Sequence, residues 1–330
     1  MRILFFSAKP YDKQFFNKAN EEYGHQIEYL ETHLGPHIVQ AVDGQEAVCV
    51  FVNDKVNAGV IGVLADRGVK IIALRCAGFN NVDLEAARKA GIRVCRVPEY
   101  SPEAVAEHTI AMILTLVRKT HKAYNRVREQ NFSLNGLIGM NLHQKTVGII
   151  GTGKIGKAFA RIMTGFGCRV IAYDPYPDPQ FDTVTYLPLD ALLAESDIIS
   201  LHCPLTDDTR HIINKQTLSA MKKGVTLINT SRGALVNTAD VIQALKRHHI
   251  AFLGIDVYEQ EEQLFFKDLS ESIIEDDTIQ RLMSFPNVLV TAHQAFFTQE
   301  ALHEIATVTL DSVTALNAGN EPENRGVMLV

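Results

Sequence analysis

The chain has no tryptophan, and its five cysteines, spread over 330 residues, form no C-x-x-C pair. That spacing excludes a disulfide-stapled scaffold and the common zinc frameworks, so buried reduced thiols and no metal site are expected. Positive charge is also short: Lys and Arg total 32 against 38 Asp and Glu, a net charge of −6, with no long basic run. Nucleic acid is therefore not expected as a partner. No apolar run approaches the ~18 residues of a membrane span. The opening Met1-Arg2-Ile3-Leu4-Phe5-Phe6-Ser7 lacks the apolar length and cleavage site of a signal peptide, so a cytoplasmic location is expected. Short-period repeats and low-complexity tracts are missing as well. What remains is a globular composition, 46 % hydrophobic and 21 % charged, in a chain long enough for two domains.

Short apolar runs alternate with longer helical patterns through most of the length. Such alternation predicts parallel sheets covered by helices on both faces. One set of strands reads Ile3–Ser7, Ala47–Val52, Ile71–Arg75 and Val94–Val97. A second reads Thr146–Ile150, Arg169–Tyr173, Asp197–His202, Val225–Asn229, Ala251–Ile255 and Asn287–Thr291. The fold class is α/β with two doubly wound parallel-sheet domains and a cleft between them. Residues 1–100 and 298–330 are expected to form one domain and 101–297 the other. Ser101-Pro102-Glu103 reads as a helix start, with a hydroxyl cap and Pro at the first helical position. A single helix is expected from Ala104 to about Arg128. Its centre is almost continuously apolar, which predicts burial in a core or against another subunit. A last helix, Thr298 to Leu316, is expected to return to the first domain.

The second strand set begins with the strongest motif. Gly151-Thr152-Gly153-Lys154-Ile155-Gly156 joins an apolar strand to a helical pattern, and the next strand delivers Asp174 eighteen residues beyond Gly156. That is close to the ~20 of a dinucleotide fingerprint. Gly151 permits the tight turn, Gly153 lets backbone approach a pyrophosphate, and Gly156 lets helix and strand pack closely. The helix N-terminus offers unpaired N–H groups to phosphate. Asp174 can accept from both ribose hydroxyls and would repel a 2′-phosphate. No Lys or Arg lies between Arg169 and Arg210 to offset that repulsion, so NAD is expected over NADP.

Three polar clusters follow later strands on the same sheet edge, where open α/β sheets bind ligands. In Asn229-Thr230-Ser231-Arg232-Gly233, Arg232 can clamp a carboxylate or be an ordinary loop charge. In Asp256-Val257-Tyr258-Glu259-Gln260-Glu261-Glu262, Asp256 can accept from a nicotinamide carboxamide, while the glutamates can equally be a solvated turn. In Thr291-Ala292-His293-Gln294-Ala295-Phe296, His293 is a candidate acid/base group by position, one of twelve histidines. Earlier, the small-residue turn from Arg75 to Asp83 can expose backbone N–H groups to an anion or be a plain βα turn.

Taken together, these motifs resemble the D-isomer-specific 2-hydroxyacid dehydrogenases over essentially the whole chain. The details at 75–83, 98–102, 106–108, 201–204 and 293–296 look like the fermentative D-lactate dehydrogenases within that family. The resemblance implies a Rossmann-type NAD domain (101–297), a flavodoxin-like substrate domain, NAD as cofactor, and pyruvate and D-lactate as substrate and product (EC 1.1.1.28 type). It further implies a homo-oligomer, dimer or tetramer. Arg232 would bind the substrate carboxylate, His293 would donate the proton, and Glu261 would hydrogen-bond His293 and favour its protonated form. Gly78 and Phe79 would help hold the carboxylate, with Tyr100 and Phe296 around the methyl group. Lys154, Ile155, Cys203, Pro204, Thr209, Thr230, Ser231 and Asp256 would join the glycines and Asp174 in holding NAD. The chain departs from the wider family at Ala292 and Glu262, where Pro is frequent, which leaves Glu259 and Glu262 as rivals of Glu261. A dehydrogenase for a larger 2-keto acid and an NADH-sensing binding protein of the same fold stay open as alternatives.

Overall fold

Each half of the chain builds its own parallel sheet from runs of β-branched and apolar residues. The structure is a computed structural model that describes residues 1–261, 264–323 and 326–330. It divides into two units, Met1–Ser101 with Phe297–Val330, and Pro102–Phe296.

The first unit holds β1 (Arg2–Phe5), β2 (Gln26–Tyr29), β3 (Ala47–Val50), β4 (Ile71–Leu74) and β5 (Arg93–Arg96), in the order β2-β1-β3-β4-β5, with every pair parallel. Helices α1 (Pro10–Tyr23), α2 (Ala58–Asp66) and α3 (Leu84–Lys89) connect the strands. Burial of all four side chains of β3 and of β4 explains their unbroken apolar character. Strand β2 is absent from the expected set: as an edge strand it alternates exposed and half-buried residues and reads as polar.

The second unit carries α4 (Pro102–Arg118), α5 (Thr120–Arg128), β6 (Thr146–Ile150), α6 (Lys154–Gly165), β7 (Arg169–Tyr173), β8 (Thr185–Tyr186), α7 (Leu189–Glu195) and β9 (Ile198–Leu201). It continues with α8 (Lys215–Ala220), β10 (Val225–Asn229), α9 (Thr238–Lys246), β11 (Ile250–Ile255), α10 (Asp277–Met283) and β12 (Val288–Val290). Its seven strands run in the order β12-β11-β10-β9-β6-β7-β8, again all parallel. The direction of winding switches between β6 and β9, so the C-terminal ends of these two strands frame the crevice in which such sheets bind ligands.

The single helix expected from Ala104 to Arg128 is in fact two. Lys119 takes a left-handed conformation (φ 53°) and separates α4 from α5. Apolar patterning cannot register such a break, because neither Gly nor Pro marks it. Nine side chains of α4 are buried, among them Ile110, Met112, Ile113 and Leu116, whereas α5 buries none. The last helix, α11 (Gln299–Asn317), packs on α1, β4 and β5 within the first unit. Of the five cysteines, four are buried and Cys168 is half-buried, and all are free thiols. Among the described residues no His, Cys, Asp or Glu group is arranged for a metal, and no helix is long and apolar enough to cross a membrane.

Candidate active site

The turn after β6 is fixed by contacts that leave no room for side chains. Gly151 has φ 98°, and a Cβ there would lie 2.6 Å from the Cys203 nitrogen at the end of β9. A Cβ on Gly156 would lie 2.1 Å from the Gly151 carbonyl oxygen. Gly153, the N-cap of α6, is different: nothing stands within 4 Å of its ideal Cβ, and no side chain caps the helix. No contact among the described residues therefore requires glycine at 153, and the uncapped N-terminus of a twelve-residue helix leaves amides of the kind that suit a pyrophosphate.

Asp174 lies at the end of β7, with Oδ2 accepting from the Thr152 amide (2.7 Å) and hydroxyl (3.0 Å), and Oδ1 accepting from the Tyr176 amide (2.9 Å). The glycine turn and the acid are thus one bonded unit. Thr152, buried and also bonded by the Tyr186 hydroxyl, holds that unit together without having been singled out from the sequence. Ile155 is partly buried and Lys154 exposed on the first turn of α6. Cys203 is buried, which pushes its thiol up to about 11, so it is a neutral wall rather than a nucleophile. The Thr209 hydroxyl donates to the Pro204 carbonyl (2.7 Å), which closes the exposed 204–209 turn. The Thr230 hydroxyl is bonded to Thr109 of α4 (2.9 Å) and points into the protein.

Arg232 follows β10. Asn229 shapes the turn: its side chain donates to the Arg232 carbonyl (2.8 Å) and accepts from the Ser231 amide (3.1 Å). The Ser231 hydroxyl donates to the Cys203 carbonyl (2.7 Å), tying this turn to the β9 end. One guanidinium nitrogen of Arg232 donates to the Ser231 carbonyl (2.7 Å); its other nitrogens have no protein acceptor among the described residues. A Cβ on Gly233 would lie 2.1 Å from the Tyr258 carbonyl carbon and 2.5 Å from the Glu259 nitrogen. Glycine at 233 thus lets the Arg232 turn touch the backbone that leads to Glu261.

Glu261 Oε1 lies 2.8 Å from His293 Nδ1, and its Oε2 accepts from the Tyr258 amide (2.9 Å). The ring is thereby oriented with Nε2 left without a hydrogen-bond partner among the described residues, and it packs near Phe266 and edge-on to Phe296 (centroids 5.8 and 6.5 Å). His293 itself is left-handed (φ 52°), a conformation uncommon for a side-chain-bearing residue. Glu259 is engaged elsewhere, accepting from the Thr238 amide (3.0 Å) and hydroxyl (2.6 Å) and bonding His211 (2.6 Å). Burial works against its charge, but these bonds outweigh it and hold its carboxyl below the usual range. Glu262, the other rival, lies outside the described residues.

Asp256 is fully buried. Its Oδ1 accepts from the Thr291 hydroxyl (2.5 Å) and the Gln294 amide (2.9 Å), and its Oδ2 from the Ala295 amide (2.9 Å); His108 Nε2 is 3.4 Å away. Burial opposes ionisation, yet the His108, Thr291 and amide bonds prevail and lower its pKa. The carboxylate therefore shapes the loop that carries His293, a duty its position beyond a strand did not announce. Its partners stand far off in sequence, beyond the reach of local patterning.

In the first unit, Gly78 and Phe79 lie in the turn after β4. Their amides donate to no protein group among the described residues, and the Phe79 ring lies under the Arg96 guanidinium (5.0 Å). Arg75 anchors this turn. It is buried between the rings of Phe5 and Phe51 (4.5 Å each) and pairs with Asp12 at 3.2 Å. Tyr100 is partly buried.

A doubly wound parallel sheet with this glycine turn at its switch point is the frame of a dinucleotide-binding protein. Residues 110–295 match the NAD binding domain of the D-isomer specific 2-hydroxyacid dehydrogenases. The chain is 52 % identical over 325 residues to a "2-hydroxyacid dehydrogenase homolog" of Zymomonas mobilis, covering 97 % of this chain and 98 % of the relative. It is 49 % identical over 326 residues to the D-lactate dehydrogenase of Escherichia coli K12, covering 98 % and 99 %. It also superposes with a TM-score of 0.87 and 37 % identity on a D-lactate dehydrogenase from Aquifex aeolicus complexed with NAD and lactic acid, covering 99 % of each chain. The chain belongs to the D-isomer specific 2-hydroxyacid dehydrogenases, and its second unit carries that family's NAD binding domain.

Proposed function

We propose that the protein is an NAD-dependent D-lactate dehydrogenase that reduces pyruvate to D-lactate. The observation that carries this reading is the Glu261–His293 pair at 2.8 Å, with His293 Nε2 left for a substrate oxygen. Arg232 supports it with donors that no protein acceptor among the described residues engages, suited to a carboxylate. NADH, when held at the glycine turn, would supply the hydride equivalent for the carbonyl carbon. His293 donates a proton from Nε2 to the carbonyl oxygen and takes it back in lactate oxidation. Glu261, acceptor at Nδ1, fixes the ring plane. Arg232 orients the 2-keto acid through its carboxylate and draws electron density toward the oxygen. The open backbone at Gly78 and Phe79 is suited to the same carboxylate, and Tyr100 and Phe296 to the methyl group. The open space at Gly153, with Lys154 and Ile155 on the first turn, suits the pyrophosphate. Asp174 would take the ribose hydroxyls and Asp256 the carboxamide, through its remaining lone-pair capacity. Cys203, Pro204, Thr209, Thr230 and Ser231 line the two neighbouring turns. Residues 1–100 with 298–330 are the substrate domain and 101–297 the NAD domain in this reading, and the enzyme works in the cytoplasm as a homo-oligomer.

The test is NADH oxidation by the purified protein with pyruvate, 2-ketobutyrate, 2-ketoisocaproate, hydroxypyruvate and glyoxylate. Fastest turnover of pyruvate supports the reading. Preference for a larger keto acid would move it within the family, and tight NADH binding without turnover of any keto acid would replace it by a binding protein.

A further inference from the structure

The turn after β4, with its open amides at Gly78 and Phe79, is held from behind. A trans peptide is planar, so its carbonyl oxygen and the N–H of the following residue point opposite ways. Whatever binds the carbonyl therefore aims the amide. The Ala77 carbonyl accepts from Arg96 Nη1 (2.9 Å), which turns the Gly78 N–H away from Arg96. The Gly78 carbonyl accepts from the Cys76 thiol (3.3 Å), which does the same for the Phe79 N–H. Of the two donors the guanidinium is ionised and strong, and the thiol weak.

Arg96 is itself fixed by several contacts. It ends β5, its amide donates to the Val327 carbonyl (2.9 Å), and its Nε donates to the Gly326 carbonyl (3.0 Å). Its guanidinium lies over the Phe79 ring, 5.0 Å from the centroid. Residues 327–330 run antiparallel beside β5: Met328 opposes Cys95, the Leu329 amide donates to the Val94 carbonyl (2.9 Å) and the Val94 amide to the Val330 carbonyl (3.1 Å). That pairing is made by backbone and does not need the Arg96 side chain. The side chain instead uses its fork to join Gly326 to Ala77, two carbonyls remote in sequence.

We propose that Arg96 is a positioning residue for the 2-keto acid, acting from the rear of the peptide that carries the Gly78 amide and braced by Gly326. The inference rests on the reading of Gly78 and Phe79 as carboxylate donors. Arg96 aims the Gly78 N–H, and its charge on the Ala77 carbonyl polarises the peptide so that this N–H is a better donor to an anion. Its cation–π contact holds Phe79, the next residue of the same turn. The Cys76 thiol is the weaker counterpart for the Phe79 amide.

The experiment measures Arg96→Met and Arg96→Lys in the full chain, with steady-state kinetics on pyruvate and calorimetric titration of oxamate, a non-reducible pyruvate isostere, into the NADH-saturated protein. Arg96→Met is expected to raise KM and the oxamate dissociation constant about tenfold, the scale of one hydrogen bond to a charged group, with a much smaller change in kcat and in NADH affinity. Arg96→Lys should restore only part, since one ammonium cannot bridge two carbonyls as the fork does. Cys76→Ala, which leaves Arg96 and its bond to Gly326 in place, should raise the same two constants by less and keeps the claim testable should Arg96→Met loosen residues 326–330. A lower Tm with wild-type KM and oxamate affinity in Arg96→Met would make Arg96 a mere anchor of that segment and overturn the proposal. Wild-type affinity in Arg96→Lys would overturn the role of the fork, and equal losses for NADH and oxamate would overturn the assignment to the substrate turn. Wild-type protein that neither reduces a keto acid nor binds oxamate would instead overturn the reading of the site, and this inference with it.

Discussion

Gly233→Ala is a one-methyl perturbation with a calculable effect. The new Cβ would stand 2.1 Å from the Tyr258 carbonyl carbon and 2.2 Å from its oxygen, where ordinary contact begins at 3.4 Å. Backbone meets the methyl on both counts, so no rotamer change relieves it, and the 231–233 turn must separate from 258–261 by more than about 1 Å. Overpacking of this kind costs about 1–3 kcal/mol. At ~2–4 °C per kcal/mol for a unit of this size, Tm should fall by roughly 2–12 °C. Catalysis should suffer more than stability. The two displaced segments carry Arg232 and Glu261, and a misplacement near 1 Å costs on the order of 100-fold in rate. The assay is kcat/KM for pyruvate beside the NADH dissociation constant and Tm. A ~100-fold loss in kcat/KM with a much smaller change in NADH affinity is expected. Wild-type kcat/KM with an unchanged Tm would refute the reasoning, and a loss confined to NADH affinity would put the damage in the cofactor turn.

Four further outcomes follow from the same contacts. Gly153→Ala should keep the wild-type Tm, since its Cβ enters open space, and lose NADH affinity, whereas Gly156→Ala should lower Tm because its Cβ meets the Gly151 carbonyl oxygen at 2.1 Å; calorimetry and NADH titration separate the pair. Asp174→Ala should weaken NADH far more than NADPH, and an unchanged preference between them would mean another acid faces the ribose. His293→Ala should lower kcat by ~10²–10⁴, the span of general acid catalysis, while NADH affinity stays; equal loss of both would remove the proton-donor role. His202, bonded to Ser200 (2.9 Å) and packed near Phe159, has its pKa pushed down to about 3 by burial. Its contribution is full above pH ~6.5 and declines as pH falls toward the folded-state value, by at most ~1.4 kcal/mol per pH unit. The stability difference between wild type and His202→Gln should therefore shrink from pH 7 to pH 5, and a constant difference would contradict the assignment.

What could be read from the sequence is what local chemistry enforces. The turn at 151–156 is legible because close backbone approach tolerates only glycine at 151 and 156, and the central strands because burial on both faces demands apolar runs. Strand β2 is not legible, since an edge strand with alternating exposure needs no apolar run. The break at Lys119 leaves the apolar pattern of α4 intact and so leaves no trace. Choosing among neighbouring glutamates also exceeds local patterning: Glu259 and Glu261 differ in which distant partners the fold brings to them, Thr238 and His211 for one and His293 for the other. The same holds for Asp256, whose strand-end position suggests a ligand contact and does not reveal that its bonds to Thr291, Gln294 and Ala295 also build the loop under His293.

The most direct test of the central claim runs the reaction in the oxidative direction. Purified protein with NAD would be offered D-lactate and L-lactate separately, and NADH appearance followed. Reduction of NAD with D-lactate alone, abolished in Arg232→Ala, is the predicted result. Turnover of L-lactate, or of neither enantiomer while pyruvate also stays unreduced, would contradict the account.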